Sequence, residues 1–305
     1  MFLTLAGIDH AVFWPGIIVL GFLIGFLSGT FGIGGGFLLI PLLRYVFGVP
    51  FETAIGSGLC VVAISSISGA IVHYRKGNVS LKLGVILICS SVPGVEVGIR
   101  ILIFLKTLSL KGFDNLTPQS FDIYLGIAFI LLLLFSSTLM IFDIIKTSRK
   151  NAPLAMRDLK NYSITFFTHW YRVKNKTGSI NHDSLNLLFI IVFGFVVGIL
   201  SGLLGIGGGI IVTPVIVSLI GLPSVLVIGT SLFQLSITGS VGALLHTLRG
   251  HTDFILVLLI ASTSIAGSVT GARFASKIRG IKIRVLYAAF LLLSTAFIVV
   301  EMIFQ

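Results

Sequence analysis

The chain repeats itself. Residues Gly25–Pro41, GFLSGTFGIGGGFLLIP, return as Gly198–Pro214, GILSGLLGIGGGIIVTP, at an offset of 173 residues. The offset holds without a gap from Ile18 to Arg100, and 29 of those 83 positions are identical. Gly48 and Pro50 reappear as Gly221 and Pro223, His73 as His246, and Gly94, Gly98 and Arg100 as Gly267, Gly271 and Arg273. A duplication of this extent commits the chain to two halves whose equivalent segments fold alike.

Composition then fixes the solvent. Only 10% of the 305 residues are charged and 56% are hydrophobic, whereas an ordinary soluble domain carries about 25% charge. A soluble enzyme, a disordered tail and a disulfide-rich secreted module are all excluded. The apolar stretches are long and rich in Leu, Ile, Val and Phe rather than short and alternating, which favours a helical bundle over a transmembrane barrel. At about 20 residues per crossing, there is room for roughly 8 to 10 crossings. Cys60 and Cys89 both lie inside apolar segments and predict no disulfide. No Lys or Arg precedes the first apolar stretch, so no cleaved signal peptide is expected.

Each half reads as five helical segments: about 12–30, 36–48, 54–73, 81–104 and 120–145, repeated at 186–203, 209–221, 226–246, 253–273 and 283–304. The second segment, with about 20 Å of helix, is too short to cross comfortably alone. Between the halves, residues 146–185 carry eight Lys or Arg against Asp158 and Asp183. This basic connection is expected on the cytoplasmic side. The expected division is a first membrane repeat over 1–145, a cytoplasmic loop over 146–185 and a second repeat over 186–305. Topology explains the basicity of the loop, so no nucleic-acid partner is implied.

The same charge bias selects between two topologies. If the glycine stretch only kinks one helix, the repeats are parallel and Lys and Arg divide twelve to nine across the membrane. If it turns the chain back, the repeats are inverted and the division is sixteen inside to five outside. The expectation is therefore an all-α polytopic membrane protein made of two inverted repeats with glycine-rich helix breaks. Interrupted helices in inverted repeats are a transporter architecture, with the site near the midplane.

The two GIGGG stretches carry the chemistry. Gly34, Gly35 and Gly36, and again Gly207, Gly208 and Gly209, open a new helix. A helix starting at such a turn presents unpaired N–H groups and a positive dipole end, which suits an anion. Neither stretch ends in Gly-Lys-Ser/Thr, so a nucleotide P-loop is excluded. Beyond them, Ser57 and Thr230 occupy equivalent places, and Gln234 sets a primary amide in the middle of a membrane segment. These three complete the expected substrate-binding set. His73, His246, Arg100 and Arg273 lie at segment ends and are read as gating or vestibule residues. Glu96 stands one turn before Arg100 and can pair with it. No Cys/His cluster suggests a metal, no catalytic constellation is present, and no cofactor is expected.

The paired motif G-x-x-S-G-x-x-G-I-G-G-G followed by x4-P resembles the sulfite exporter TauE/SafE family of membrane permeases across both halves. The resemblance implies transport of a small sulfur-containing or organic anion, such as sulfite, thiosulfate or a sulfonate. The expected function is a secondary transporter alternating access around the two glycine turns, in the cell membrane, with the bilayer and the anion as partners. A homo-oligomer is compatible with the chain. The rival reading is a structural or sensory membrane subunit that docks a partner through its basic loop.

Overall fold

The computed structural model describes residues 2–3, 12–110, 118–149, 162–167, 170–175, 185–220, 222–278 and 281–304. The first half contains α1 (Trp14–Phe31), α2 (Gly36–Pro41), α3 (Phe51–Arg75), α4 (Leu81–Leu110) and α5 (Pro118–Arg149). The second contains α6 (Leu187–Leu204), α7 (Gly209–Val215), α8 (Ser224–Thr247), α9 (Phe254–Ala275) and α10 (Ile281–Phe304). Among the described residues, α3, α4, α5, α8, α9 and α10 are long and apolar enough to cross a membrane. The chain is a multi-pass membrane protein, and its membrane part is helical as the segment lengths require.

Local sequence sets the helix limits. Pro50 and Pro223 stand at the N-caps of α3 and α8, where a missing N–H costs nothing. The Asp253 carboxylate caps α9 by accepting from the Ile255 and Leu256 amides at 2.9 and 3.1 Å. Pro41 and Pro214 sit inside α2 and α7, and each short helix runs on into a π-helical turn, Leu42–Val46 and Ile216–Ile220. A proline that withholds its N–H lets the ladder slip by one residue in this way. Two strands, β1 (Phe2–Leu3) and β2 (Val12–Phe13), pair ahead of α1. Within the basic loop, β3 (Tyr162–Phe167) and β4 (Trp170–Asn175) form an antiparallel hairpin that β5 (Leu185–Asn186) extends. The sequence reading treated 146–185 as a plain connection. Its residues 150–161 and 176–184, with Lys150, Arg157, Asp158, Lys160, Lys176 and Asp183, lie outside the described residues, as do Lys111 and Arg279.

Polar contacts give the relative directions of α3, α4 and α9. The Ser57 hydroxyl near the start of α3 accepts from the Asp253 amide at the start of α9, at 2.9 Å. At the other ends of these helices, Lys76 Nζ donates to Ser276 Oγ, so α3 and α9 run the same way. Lys106, late in α4, pairs with Glu52, early in α3, so α4 runs the opposite way. Helices α4 and α9 occupy equivalent places in the duplicated sequence, yet they point in opposite directions.

The halves also exchange helices. Helix α1 packs on α9 of the other half, in the order Gly21 on Ile260, Gly25 on Ser264 and Gly29 on Ser268. The duplicate contact places α6 on α4, with Gly194 on Leu87, Gly198 on Ser91 and Gly202 on Val95. A Cβ built on Gly25 or Gly198 would fall 2.1 Å from the facing carbonyl oxygen. Backbone therefore meets backbone, as small residues permit between membrane helices. Gly21 and Gly94 stand in these seams. Helices α3 and α8 cross at the centre, with 67% of their most apolar stretch buried against 39–44% for the other four long helices.

Outside this core, α5 and α10 lean on each other and are joined near one end by the buried pair Asp143–Arg284. Arg284 also donates from Nε to Ser224 Oγ at 2.9 Å, which ties α10 to the start of α8. The buried charges are thus paired and further hydrogen-bonded, the condition under which such a pair survives in a low dielectric.

The seam supplies a stability test. Gly25→Leu and Gly198→Leu should each cost about 3 kcal/mol or more, because backbone cannot yield to the new side chain. Gly48→Ala meets open space and only a left-handed φ of 67°, so it should cost about 1–2 kcal/mol. Thermal unfolding of detergent-solubilised variants, followed by size exclusion, measures the contrast.

Candidate functional site

The two glycine stretches form buried turns that meet. Helix α1 ends at Phe31, and Gly34 and Gly35 take left-handed φ values of 83° and 76°. Gly207 and Gly208 repeat the turn at 77° and 81°. These angles are ones that a side chain resists. The turn brings Gly35 back beside Ile24, at the middle of α1, so the chain reverses here rather than bending. In the duplicate, Gly208 lies beside Val197. The two turns touch each other: a Cβ on Gly36 would lie 2.7 Å from the Gly205 carbonyl oxygen, and one on Gly209 would lie 2.3 Å from that of Gly32. Gly34 and Gly207 both face the same two side chains, Val62 of α3 and Leu235 of α8.

Backbone hydrogen bonding gives the turns their polarity. The Gly32 amide still donates to Ser28 O at 2.8 Å, and pairing resumes with Leu38 and Leu39 donating to Gly35 O at 3.3 and 3.1 Å. The amides of Gly34, Gly35 and Gly36 fall between these bonds. Likewise Gly205 donates to Ser201 O at 2.8 Å, and the next donors, Ile211 and Val212, reach Gly208 O at 3.1 and 3.2 Å. Two runs of buried amides therefore lie together where the halves meet. Such concave runs of N–H groups suit an anion.

Side chains near the turns also hold unspent hydrogen-bonding capacity. Gln234 of α8 donates from Nε2 to Ser91 Oγ and Thr238 Oγ1, both at 3.3 Å, while its Oε1 has no partner among the described residues. Ser66 Oγ, 3.7 Å from a Cβ position on Gly34, and Ser201 Oγ are buried without a partner among the described residues. The Ser201 Cβ stands 3.9 Å from a Cβ position on Gly208. A buried hydroxyl or amide oxygen left unpaired costs about 1–3 kcal/mol.

The remaining sequence candidates are spread through the molecule. Ser57 and Thr230 do not join the turns but pin one half to the other. Ser57 accepts the Asp253 amide, and Thr230 accepts the Ser80 amide at 3.0 Å while donating to Leu226 O at 2.7 Å. His73 is buried against α1, with Nε2 3.2 Å from Gly29 O. Its duplicate His246 sets Nδ1 3.3 Å from His251 Nδ1, at the opposite end. Arg100 is exposed and bound to Glu96 at 2.9 Å. Arg273 lies at the other end, where burial first, then Arg273 and Lys277, hold the Lys76 ammonium below its usual range. The sequence reading passed over Arg249, Ser201 and the Asp143–Arg284 pair. Partners such as these come from helices far apart in sequence, and spacing carries no sign of them. Among the described residues, no three or more His, Cys, Asp or Glu are grouped to hold a metal ion.

The model of the sulfite exporter TauE/SafE family matches residues 17–298. The chain belongs to this family. The TauE/SafE match takes in both glycine turns and all ten helices in whole or part. Similar chains include probable membrane transporter protein YunE of Bacillus subtilis, 26% identical over 270 residues, covering 86% of this chain and 89% of that one. Probable membrane transporter protein MJ0441 of Methanocaldococcus jannaschii is 25% identical over 293 residues, covering 91% and 92%. Probable membrane transporter protein YjnA of Bacillus subtilis is 24% identical over 278 residues, covering 91% and 96%. No solved structure matches. This TauE/SafE chain is thus a membrane transporter, and the duplicated turns are the feature of it that most needs a functional account.

One loop residue of the transporter carries a pH signature. Burial first, then Lys106 and Arg249, hold His251 below its ordinary value of 6.5, although Glu52 opposes them. The folded state then resists a proton that the unfolded chain accepts, so stability is full above about pH 6.5 and falls on acidification below it. Replacing His251 by Asn, the residue at the equivalent place Asn78, should flatten the fall in melting temperature between pH 7.5 and 5.5.

Proposed function

We propose that this chain is a secondary transporter for a small anion, with sulfur oxyanions and sulfonates as the first class to test. The observation that carries the reading is the meeting of two buried glycine turns whose amides are not taken up by helix bonds. The anion lies between them, bound mainly by backbone, with Gly34, Gly35, Gly36, Gly207, Gly208 and Gly209 as its cradle. The Gln234 amide, with Ser66 and Ser201, supplies side-chain polarity at the same depth. The opposite directions of α4 and α9 support an inverted repeat, in which rocking one half against the other opens the site to each side in turn. No ATP-binding element was found in the sequence, so an ion gradient or the anion's own gradient drives the cycle.

Orientation follows from charge. Arg75, Lys76, Lys82, Arg273, Lys277 and Arg284 belong to the end where α3 and α9 finish, and the 146–185 loop leaves α5 at that same end. By the positive-inside rule this end is cytoplasmic. The 1–145 and 186–305 repeats are then joined on the cytoplasmic side.

The reading is tested by counterflow in liposomes containing the full chain, with sulfite, thiosulfate, sulfate, sulfoacetate and simple carboxylates offered in turn. Saturable exchange of at least one anion is expected. Gly34→Ala and Gly207→Ala press only on Val62 and Leu235 side chains, which can move, so both variants should fold. Both should lose at least about tenfold in transport, because the left-handed turn resists a Cβ by about 1–2 kcal/mol and its amides lose their aim. Uptake at the parental rate in both would rule out a backbone site.

A further inference from the structure

The pseudo-symmetry sets two seams side by side for comparison. Lys76 follows α3 and Arg249 follows α8, at equivalent places in the duplication. Lys76 lies at the α3–α9 seam and, among the described residues, donates to the Ser276 hydroxyl. Arg249 lies at the α8–α4 seam, at the opposite end, and meets a carboxylate. Its Nη2 donates to Glu96 Oε1 at 3.1 Å and to Oε2 at 3.3 Å, while Nη1 donates to Leu245 O at 2.9 Å. Arg100 Nε donates to the same Glu96 Oε1 at 2.9 Å. Val269 stands where a second Glu96 would be. The carboxylate is thus an addition to one end of a frame that otherwise repeats.

Two guanidinium groups share this one carboxylate, and the set keeps a net positive charge. Both Glu96 and Arg249 are partly covered, with side chains 30% and 26% exposed, whereas Arg100 is 75% exposed. Arg249 stands in the turn that follows α8, so the set lies at the end of that membrane segment, where a dissolved ion arrives. A guanidinium fork offers the same paired N–H geometry to a carboxylate and to the oxygens of sulfite, sulfate or a sulfonate. The geometry points to an anion-binding site formed by Arg249 and Arg100 at the mouth opposite the 146–185 loop, filled by Glu96 when that mouth is closed and vacated by Glu96 when an incoming small oxyanion takes its place. Separation of Glu96 from Arg249 also removes the tie between α8 and α4 at that end, leaving the Gln234–Ser91 bond deeper in the seam, so occupancy by the anion loosens the mouth of the seam. The inference rests on the anion reading above, and it adds where the ion is first captured and what it competes with.

The test is initial uptake of thiosulfate and sulfite by the full chain in right-side-out and inside-out membrane vesicles. The readout is the half-saturating concentration on each side. If the carboxylate holds the site about 90% of the time, Glu96→Gln lowers half-saturation on the Glu96 side about tenfold. Arg249→Gln raises it by at least tenfold and removes the effect of Glu96→Gln when the two are combined. Half-saturation on the other side stays at the parental value in all three. A purely structural ion pair would instead lower the folded yield and maximal rate with no side preference. Transport with unchanged half-saturation in Glu96→Gln overturns the site and leaves the anion reading standing. Absence of flux of every anion offered, in parent and variants, overturns the anion reading and this site with it.

Discussion

In the seams between α1 and α9 and between α6 and α4, backbone rests on backbone at Gly25, Gly29, Gly198 and Gly202, and the Thr263 and Ser90 hydroxyls fill the space beside Gly21 and Gly194. Apolar side chains gain little by leaving lipid for one another, so membrane helices associate by close packing and hydrogen bonding. Here the packing is as close as it can be, with carbonyl oxygens of one helix standing where a Cβ of the other would be. Everything central follows from that approach. It holds the first helix of each half in the body of the other, carries the two turns inward, and places Gly36 against Gly205 and Gly209 against Gly32.

The turns then satisfy a demand that the bilayer imposes. Irregular backbone at membrane depth survives only where protein or a water-filled cavity surrounds it. Each turn is enclosed by the other turn, by Val62 and Leu235, and by the helix it has just left. Aromatic side chains add cover on one side, where Phe31 lies 5.6 Å from Tyr287 and 5.8 Å from Phe290 between ring centres. The second short helix is held differently: Ser136 and Tyr287 both donate to Ile210 O. A symmetric frame thus carries unequal fittings. Gln234 against Val61 and Glu96 against Val269 are further cases.

Much of this was readable before any coordinates. The ten segments follow from apolar run length and from Pro and Gly punctuation, and their observed limits differ by only a few residues. The reversal at GIGGG follows from glycine density and from the distribution of Lys and Arg. What stayed hidden is partnership across the two halves. The 173-residue offset says that α1 and α6 are alike, but not that each lies against the other half. Ser57 and Thr230 stand at equivalent places in the sequence, which carries no sign that each receives a loop amide from the other half. Arg249 looked like an ordinary loop cation, because Glu96 lies 153 residues away in sequence. Local patterns report local structure, and these contacts are among the least local in the chain.

The exchange of first helices has a consequence for biosynthesis. A ribosome delivers α1 long before α9 exists, so the glycine face of α1 must wait in the bilayer for most of the chain to be made. During that interval its groove is open to lipid or to any other small-residue helix nearby. Helix α6 faces no such delay, since α4 is already in place when α6 emerges. Assembly of the two seams is therefore ordered in time although they are equivalent in space. The α6–α4 seam closes first, and α1 finds its place only once α9 is made.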